Sequence, residues 1–174
     1  IPLGISSLVG TLDKTLDQWI VSAMLTPETY AVYVQGAREI PLIGTITGAI
    51  STVLVVDLTK AAKNRDYGTA VQLFRTVAEK SSLVLMPVMV FFMAAARPFI
   101  SFLYTEAYLD AVPVFQIYLL YLPIRVAQYS PLLIALGKSK FVLWKTVGGL
   151  AVNAVFSVLF VYLFGAEGAA VATI

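Results

Sequence analysis

Three groups of polar and ionisable residues stand inside apolar stretches of this chain. Asp13 and Asp17 are four residues apart and share a face of any helix; Lys14 and Asp17 are three apart and can pair. Two carboxylates on one face can hold a cation or pass a proton. The same three side chains can equally form an ion pair that ties helices together. Arg38 and Glu39 are adjacent, so they point to different faces and cannot pair with each other on one face. With Pro41, Thr45, Gly48 and Thr52, Arg38 forms a stripe of polar and small residues that suits a cavity wall, the alternative being an interhelical salt bridge. The third group is Tyr118, Tyr121, Arg125 and either Gln128 or Tyr129, again at helical spacing and bracketed by Pro123 and Pro131. An arginine there offers a planar fork of donors for an anion such as phosphate. The prolines kink the helix, either as a moving part or as a static bend around a satisfied Arg125.

Other chemistry is excluded by what the chain lacks. It has no cysteine and no histidine, which removes disulfides, thiolate metal sites and the commonest acid/base residue. Gly137-Lys138-Ser139 has neither the preceding glycine nor the strand of a nucleotide-binding loop. No nucleophile stands with a base. The reading is therefore of a protein that is not an enzyme, with no catalytic residue, no metal and no cofactor. A net charge of +2 is too small for nucleic-acid binding.

The elements that must position these groups are membrane helices. Hydrophobic residues make up 59% of the chain and charged ones 13%, with mean hydropathy +0.86. Soluble domains carry about 25% charge, and even a 150-residue domain buries only about 68–70% of its surface. A bilayer removes that limit. A spanning helix takes about 20 apolar residues, and candidate spans lie at 3–25, 29–56, 78–97, 111–136 and 142–164, with another starting at 169–174. Residues 57–77 form a basic connection whose apolar positions recur at helical spacing, so that part of it lies along the interface or continues the next span. Gly44 and Gly48 fit a weak close-packing motif. Arg97 reads as an end residue reaching for the headgroups. The chain starts at Ile1-Pro2 and stops within an apolar run at Ala172-Thr173-Ile174, and both ends read as cuts in a longer parent.

Loop charges alternate. The connections after spans two and four hold eight Lys or Arg in all, counting Lys80 and Lys145 just inside the following spans, whereas those after spans one, three and five hold Glu28, Glu106, Asp110 and Glu167. Basic loops favour the cytoplasmic side. Spans one, three and five then run outward. On this topology Arg38 lies about nine residues inside the outer end of span two, roughly 14 Å deep, and the ion-pair reading of Asp13, Lys14 and Asp17 puts them near the cytoplasmic end.

The order of these features resembles the later half of bacterial and archaeal polysaccharide flippases, exporters of O-antigen and exopolysaccharide. They belong to the superfamily of lipid II flippases and multidrug and toxic compound extrusion transporters. The resemblance is carried by Leu12-Asp13-Lys14-Thr15-Leu16-Asp17, by Leu25-Thr26-Pro27-Glu28-Thr29-Tyr30, and by Ile50 to Leu58 leading to Arg65-Asp66-Tyr67. Arg97-Pro98 through Tyr108, Leu133 to Lys140 and Gly165 to Thr173 continue it. Where the family usually has a proline near the inner end of its eighth helix, this chain has Val56.

The resemblance implies an all-α polytopic transmembrane helix bundle, one lobe of a two-lobed flippase-like transporter, in a cytoplasmic membrane. The substrate would be an undecaprenyl-type lipid-linked glycan. The partners would be membrane lipids, an N-terminal lobe of the same chain, and a polysaccharide polymerase with glycosyltransferases. Arg38, Arg125 and Lys14, with Tyr118, Tyr121 and Gln128, would bind substrate; Asp13, Asp17 and Glu39 would couple an ion or balance charge. The alternatives are a cation-coupled multidrug antiporter and a non-transporting membrane component of glycan assembly.

Overall fold

The computed structural model describes residues 2–38, 40–126 and 129–173, and the side chains of residues 2, 3, 14, 41, 42, 46, 125 and 129 lie outside that description. The described residues form helices α1 (Pro2–Met24), α2 (Pro27–Gly36), α3 (Pro41–Lys63), α4 (Tyr67–Ala94) and α5 (Ala96–Tyr104). A 3₁₀ turn (Glu106–Tyr108) leads to α6 (Ala111–Leu120), α7 (Leu122–Val126), α8 (Tyr129–Ala135) and α9 (Ser139–Thr173). Among these residues there is no strand, and the chain is an all-α bundle. Three helical segments, Ile43–Lys63, Tyr67–Ala94 and Ser139–Thr173, are long and apolar enough to cross a membrane; Ala111–Ile124 is apolar but shorter.

The punctuation of the helices follows from a few residues. Thr26 has extended backbone and accepts a hydrogen bond from the Thr29 N–H at 3.3 Å, with Pro27 at the first helical position of α2. The second candidate span is divided in two. Pro41 disfavours helical backbone at Ile40, which takes φ −66° and ψ 115°, and α3 starts afresh at the proline. The connection expected over 57–77 is mostly helix, because α3 continues to Lys63 and α4 begins at Tyr67. Asp66 caps α4, accepting from the Thr69 N–H at 3.0 Å and the Thr69 hydroxyl at 2.6 Å. The fourth candidate span is broken after Leu120. Pro123 has no N–H to offer Leu119, and Tyr121 and Ile124 make short-turn bonds to the carbonyls of Tyr118 and Tyr121 at 3.2 and 3.1 Å.

The last helix folds back on itself at Gly165, whose φ of 64° and ψ of −138° only glycine adopts readily. In a straight helix Asn153 and Thr173 would stand about 30 Å apart, yet both hydrogen-bond to Asp17. Gly168 lies so close to the Phe160 carbonyl that a Cβ there would overlap it.

α1 packs along α9, α3 against α4 and α8, and α2 against α6. One apolar cluster joins Leu58 and Ala61 at the end of α3 to Ala70 at the start of α4 and to Leu132 and Ala135 of α8. The α3–α4 and α8–α9 turns, with their lysines, therefore share one end of the bundle. Other clusters gather Leu25, Tyr30 and Ala166, and Tyr104, Tyr108 and Ala111. The acidic loops therefore lie at the opposite end. Phe92, Phe99 and Phe115 pack at that end with ring centroids 4.9 to 6.3 Å apart; each such pair contributes about 0.5–1.5 kcal/mol beyond its area.

Two outcomes follow. Gly36 faces α6 so closely that a Cβ would stand 2.7 Å from the Ala111 carbonyl oxygen and 2.8 Å from Val114 Cβ. Gly36→Ala should push α2 off α6 and cost about 1–3 kcal/mol, read as a lower unfolding midpoint in detergent. The Thr69 hydrogen bonds hold the Asp66 carboxyl below its ordinary 3.8. The cap is then fully present above that pH and is lost as pH falls through the lower value. The Thr69 amide resonance should titrate below pH 3.8, and should cease to do so in Asp66→Asn.

Candidate functional site

A carboxyl group in an apolar bundle is costly unless it is hydrogen-bonded. Asp17 on α1 is 3% exposed, and donors from three other helices converge on it. The Thr173 hydroxyl donates to Oδ2 at 2.8 Å. The Tyr118 and Tyr33 hydroxyls stand 3.3 and 3.4 Å from the same oxygen. Oδ1 receives the Asn153 amide at 3.4 Å, and the same amide stands 3.2 Å from Asp13 Oδ1. Ser157 donates to Asn153 Oδ1 at 2.8 Å, which turns the Asn153 NH₂ toward the two aspartates.

The two tyrosine hydroxyls are 2.9 Å apart, with rings edge to face at 6.5 Å. They have one proton each, so when one is shared between the hydroxyls only the other reaches Asp17. The group is a chain, Tyr to Tyr to carboxylate, and its direction can reverse. Thr173 also lies 3.0 Å from the Ala169 carbonyl. The Thr173 hydroxyl can therefore donate to either oxygen. Among the described residues there is no group of three acidic, histidine or cysteine side chains that could hold a metal ion.

Each contributor lies well inside its own helix: Asp17 precedes the end of α1 by seven residues, Tyr33 follows Thr26 by seven, and Tyr118 and Thr173 follow Asp110 and Gly165 by eight, roughly 11–12 Å along the helix at 1.5 Å per residue.

Beside these side chains lies a cavity of about 470 Å³. Asp13 and Asp17 form one wall, Ala37, Arg38 and Ile40 of the α2–α3 break another, and Tyr118, Tyr121 and Leu122 at the α6–α7 break a third. Unwound backbone is tolerated at membrane depth where it lines such a cavity. Arg38 is exposed into it and makes no ion pair with a described residue; the two ion pairs there, Lys60–Asp57 and Arg75–Glu79, lie on exposed helix surface. A second space of about 60 Å³ also touches Arg38 and runs to Leu103 and Tyr104 near the acidic-loop end.

Of the residues singled out in the sequence, Asp13, Asp17, Arg38, Tyr118 and Tyr121 meet around one cavity. Glu39 and Gln128, and the side chains of Lys14 and Arg125, lie outside the described residues. Two details differ from expectation. Asp17 stands nearer the Met24 end of α1 than its start, unlike the cytoplasmic end of the ion-pair reading, and among the described groups its partners are hydroxyls and an amide. Tyr118 and Tyr121 do not continue one helical stripe, because α6 ends between them. Thr45, Gly48 and Thr52 are exposed on α3, past the break from Arg38, and a Cβ on Gly48 would meet nothing.

Tyr33, Asn153, Ser157 and Thr173 were not singled out for the site. Asn153 and Ser157 carried a signal: two hydrogen-bonding side chains four apart in a run otherwise free of charge. Thr173 carried none, since only the reversal at Gly165 returns it to Asp17.

Three helices apolar enough to cross a membrane, in an all-α bundle with a cavity at broken helices, define a helical membrane protein. Residues 1–113 match the family described as polysaccharide biosynthesis protein, and the chain belongs to that family. Comparisons with curated proteins and with solved structures gave no match. The protein is thus a membrane component of polysaccharide biosynthesis.

Asp17→Ala would leave one tyrosine hydroxyl without its acceptor and Thr173 and Asn153 with only Ala169 and Asp13, and should cost about 1–3 kcal/mol, measured as thermal unfolding in detergent. Tyr33→Phe should cost less, because Tyr118 can then donate to Asp17 directly.

Proposed function

We propose that the protein carries a lipid-linked oligosaccharide across the membrane by alternating access, with no bond made or broken. The observation that supports this most is the cavity that sets Arg38 opposite Asp13 and Asp17 between two helix breaks. Its volume is within the roughly 300–1,000 Å³ of small-ligand sites, so it suits the polar head of a lipid-linked glycan while the lipid tail stays in the bilayer. Arg38 presents a fork that matches pyrophosphate or acidic-sugar oxygens. The first turn of α3, with Ile40 and Ile43 on the cavity wall, adds a positive helix end. Broken helices whose ends meet the ligand at membrane depth are the arrangement that alternating-access carriers use.

The basic-loop end faces the cytoplasm, as positive residues favour, and the membrane is the cytoplasmic one. The lipid is of the undecaprenyl type, and its suppliers and consumers are glycosyltransferases and a polymerase. Asp17 and its hydroxyl chain balance Arg38 or couple transport to a proton or small cation. A second reading, a cation-coupled antiporter for organic cations, draws support from the two carboxyls on the cavity wall.

Arg38→Gln should reduce export of the glycan at least tenfold at unchanged protein level, with lipid-linked precursor accumulating in the inner leaflet. Arg38→Lys should restore part of it. Export unaffected by Arg38→Gln rejects the anion-binding role. Ion-coupled efflux of organic cations without precursor accumulation on deletion favours the second reading.

A further inference from the structure

The first turns of α9 present a surface that the cavity does not use. Val142 and Asn153 face the protein and Thr146 is half-buried beside them, while Lys140, Phe141, Trp144, Lys145 and Gly148 are exposed on the opposite face. Phe141 is 63% exposed and Trp144 73%. Lys138, in the preceding turn, holds its ammonium 5.9 Å from the centre of the Phe141 ring. None of Lys138, Lys140 and Lys145 pairs with a carboxylate of a described residue, and α9 has no acidic residue until Glu167, beyond the reversal. Below them the same face is apolar, with Val152, Val155, Leu159 and Tyr162 exposed. A Cβ on Gly148 or Gly149 would meet nothing within 4 Å, which leaves a notch just beneath the aromatic rings.

We propose that this surface binds a phospholipid with an acidic headgroup, from the leaflet on the basic-loop side. Three features converge on that occupant. Unpaired lysines at the end of a spanning helix attract anionic headgroups. Exposed Trp and Phe suit the boundary between headgroup and acyl chain. The apolar face below the notch accommodates an acyl chain. A zwitterionic lipid offers a phosphate but brings its own cation, and so leaves the three ammonium groups without net counter-charge. A protein partner covering this face would need to bury an entire apolar helix flank.

The chain has two tryptophans, so Trp19→Phe leaves Trp144 as its sole tryptophan, excited selectively over the tyrosines and in discs whose scaffold protein lacks tryptophan. This version is placed in nanodiscs of fixed size that contain the same small mole fraction of brominated phosphatidylglycerol or brominated phosphatidylcholine. Quenching of Trp144 should be at least twofold stronger with the phosphatidylglycerol. The difference should vanish in Lys138→Gln/Lys140→Gln/Lys145→Gln. It should also shrink at 1 M salt, where the screening length falls to about 3 Å. Equal quenching by both lipids overturns the proposal, as does a preference that survives the triple substitution. Quenching by neither lipid overturns it too, since Trp144 is then covered by protein, for instance a second copy. Circular dichroism of the triple variant controls for folding, and Lys140→Arg/Lys145→Arg should keep the preference. None of these outcomes depends on what the central cavity carries.

Discussion

One buried carboxyl group organises the interior. Asp17 has almost no access to solvent, and a polar group so placed needs several donors at once. No single helix can supply them. They come from Tyr33 on α2, Tyr118 on α6, and Asn153 and Thr173 on the two limbs of α9. Apolar packing alone does not drive helices together in lipid, where tails are as apolar as the side chains. Hydrogen bonds to a shared acceptor add what apolar packing lacks, orientation and depth. The small residues around the layer, Gly36 against Ala111 and Gly168 against Phe160, let the backbones approach closely enough for those bonds to form.

The broken helices are the counterpart of that anchored layer. Pro41 and Pro123 each interrupt a helix beside the cavity, and the interruptions place Arg38 and Tyr121 on its wall. A continuous helix would turn its polar positions across several faces at successive turns. A break lets the backbone redirect, so that a cation and two carboxyls from distant parts of the chain face one space. Charge of both signs around one cavity means that the arginine is not left isolated among apolar helices. The lysine-rich start of α9 does not line the cavity.

The membrane character, the helical class and the separation of acidic from basic loops could all be read from composition and local order. They depend on sums over many residues, and a bilayer demands about 20 apolar residues per crossing whatever the partners are. Asp13, Asp17 and Arg38 were also legible, because an ionisable residue in an apolar run has few explanations. Pro41 and Pro123 signalled bends, since the missing N–H acts within its own helix.

What the chain could not disclose by itself was which groups meet. Asn153 is 136 residues from Asp17 and Thr173 is 156 away, and no periodicity connects positions so distant. Thr173 reaches the site only because Gly165 adopts a positive φ and sends the helix back along its own path. Tyr33 and Tyr118 become a hydroxyl chain only when α2 and α6 pack side by side. Local spacing determines which face of a helix a residue occupies; the neighbour that face meets is decided by packing among helices, and that exists only in the tertiary structure.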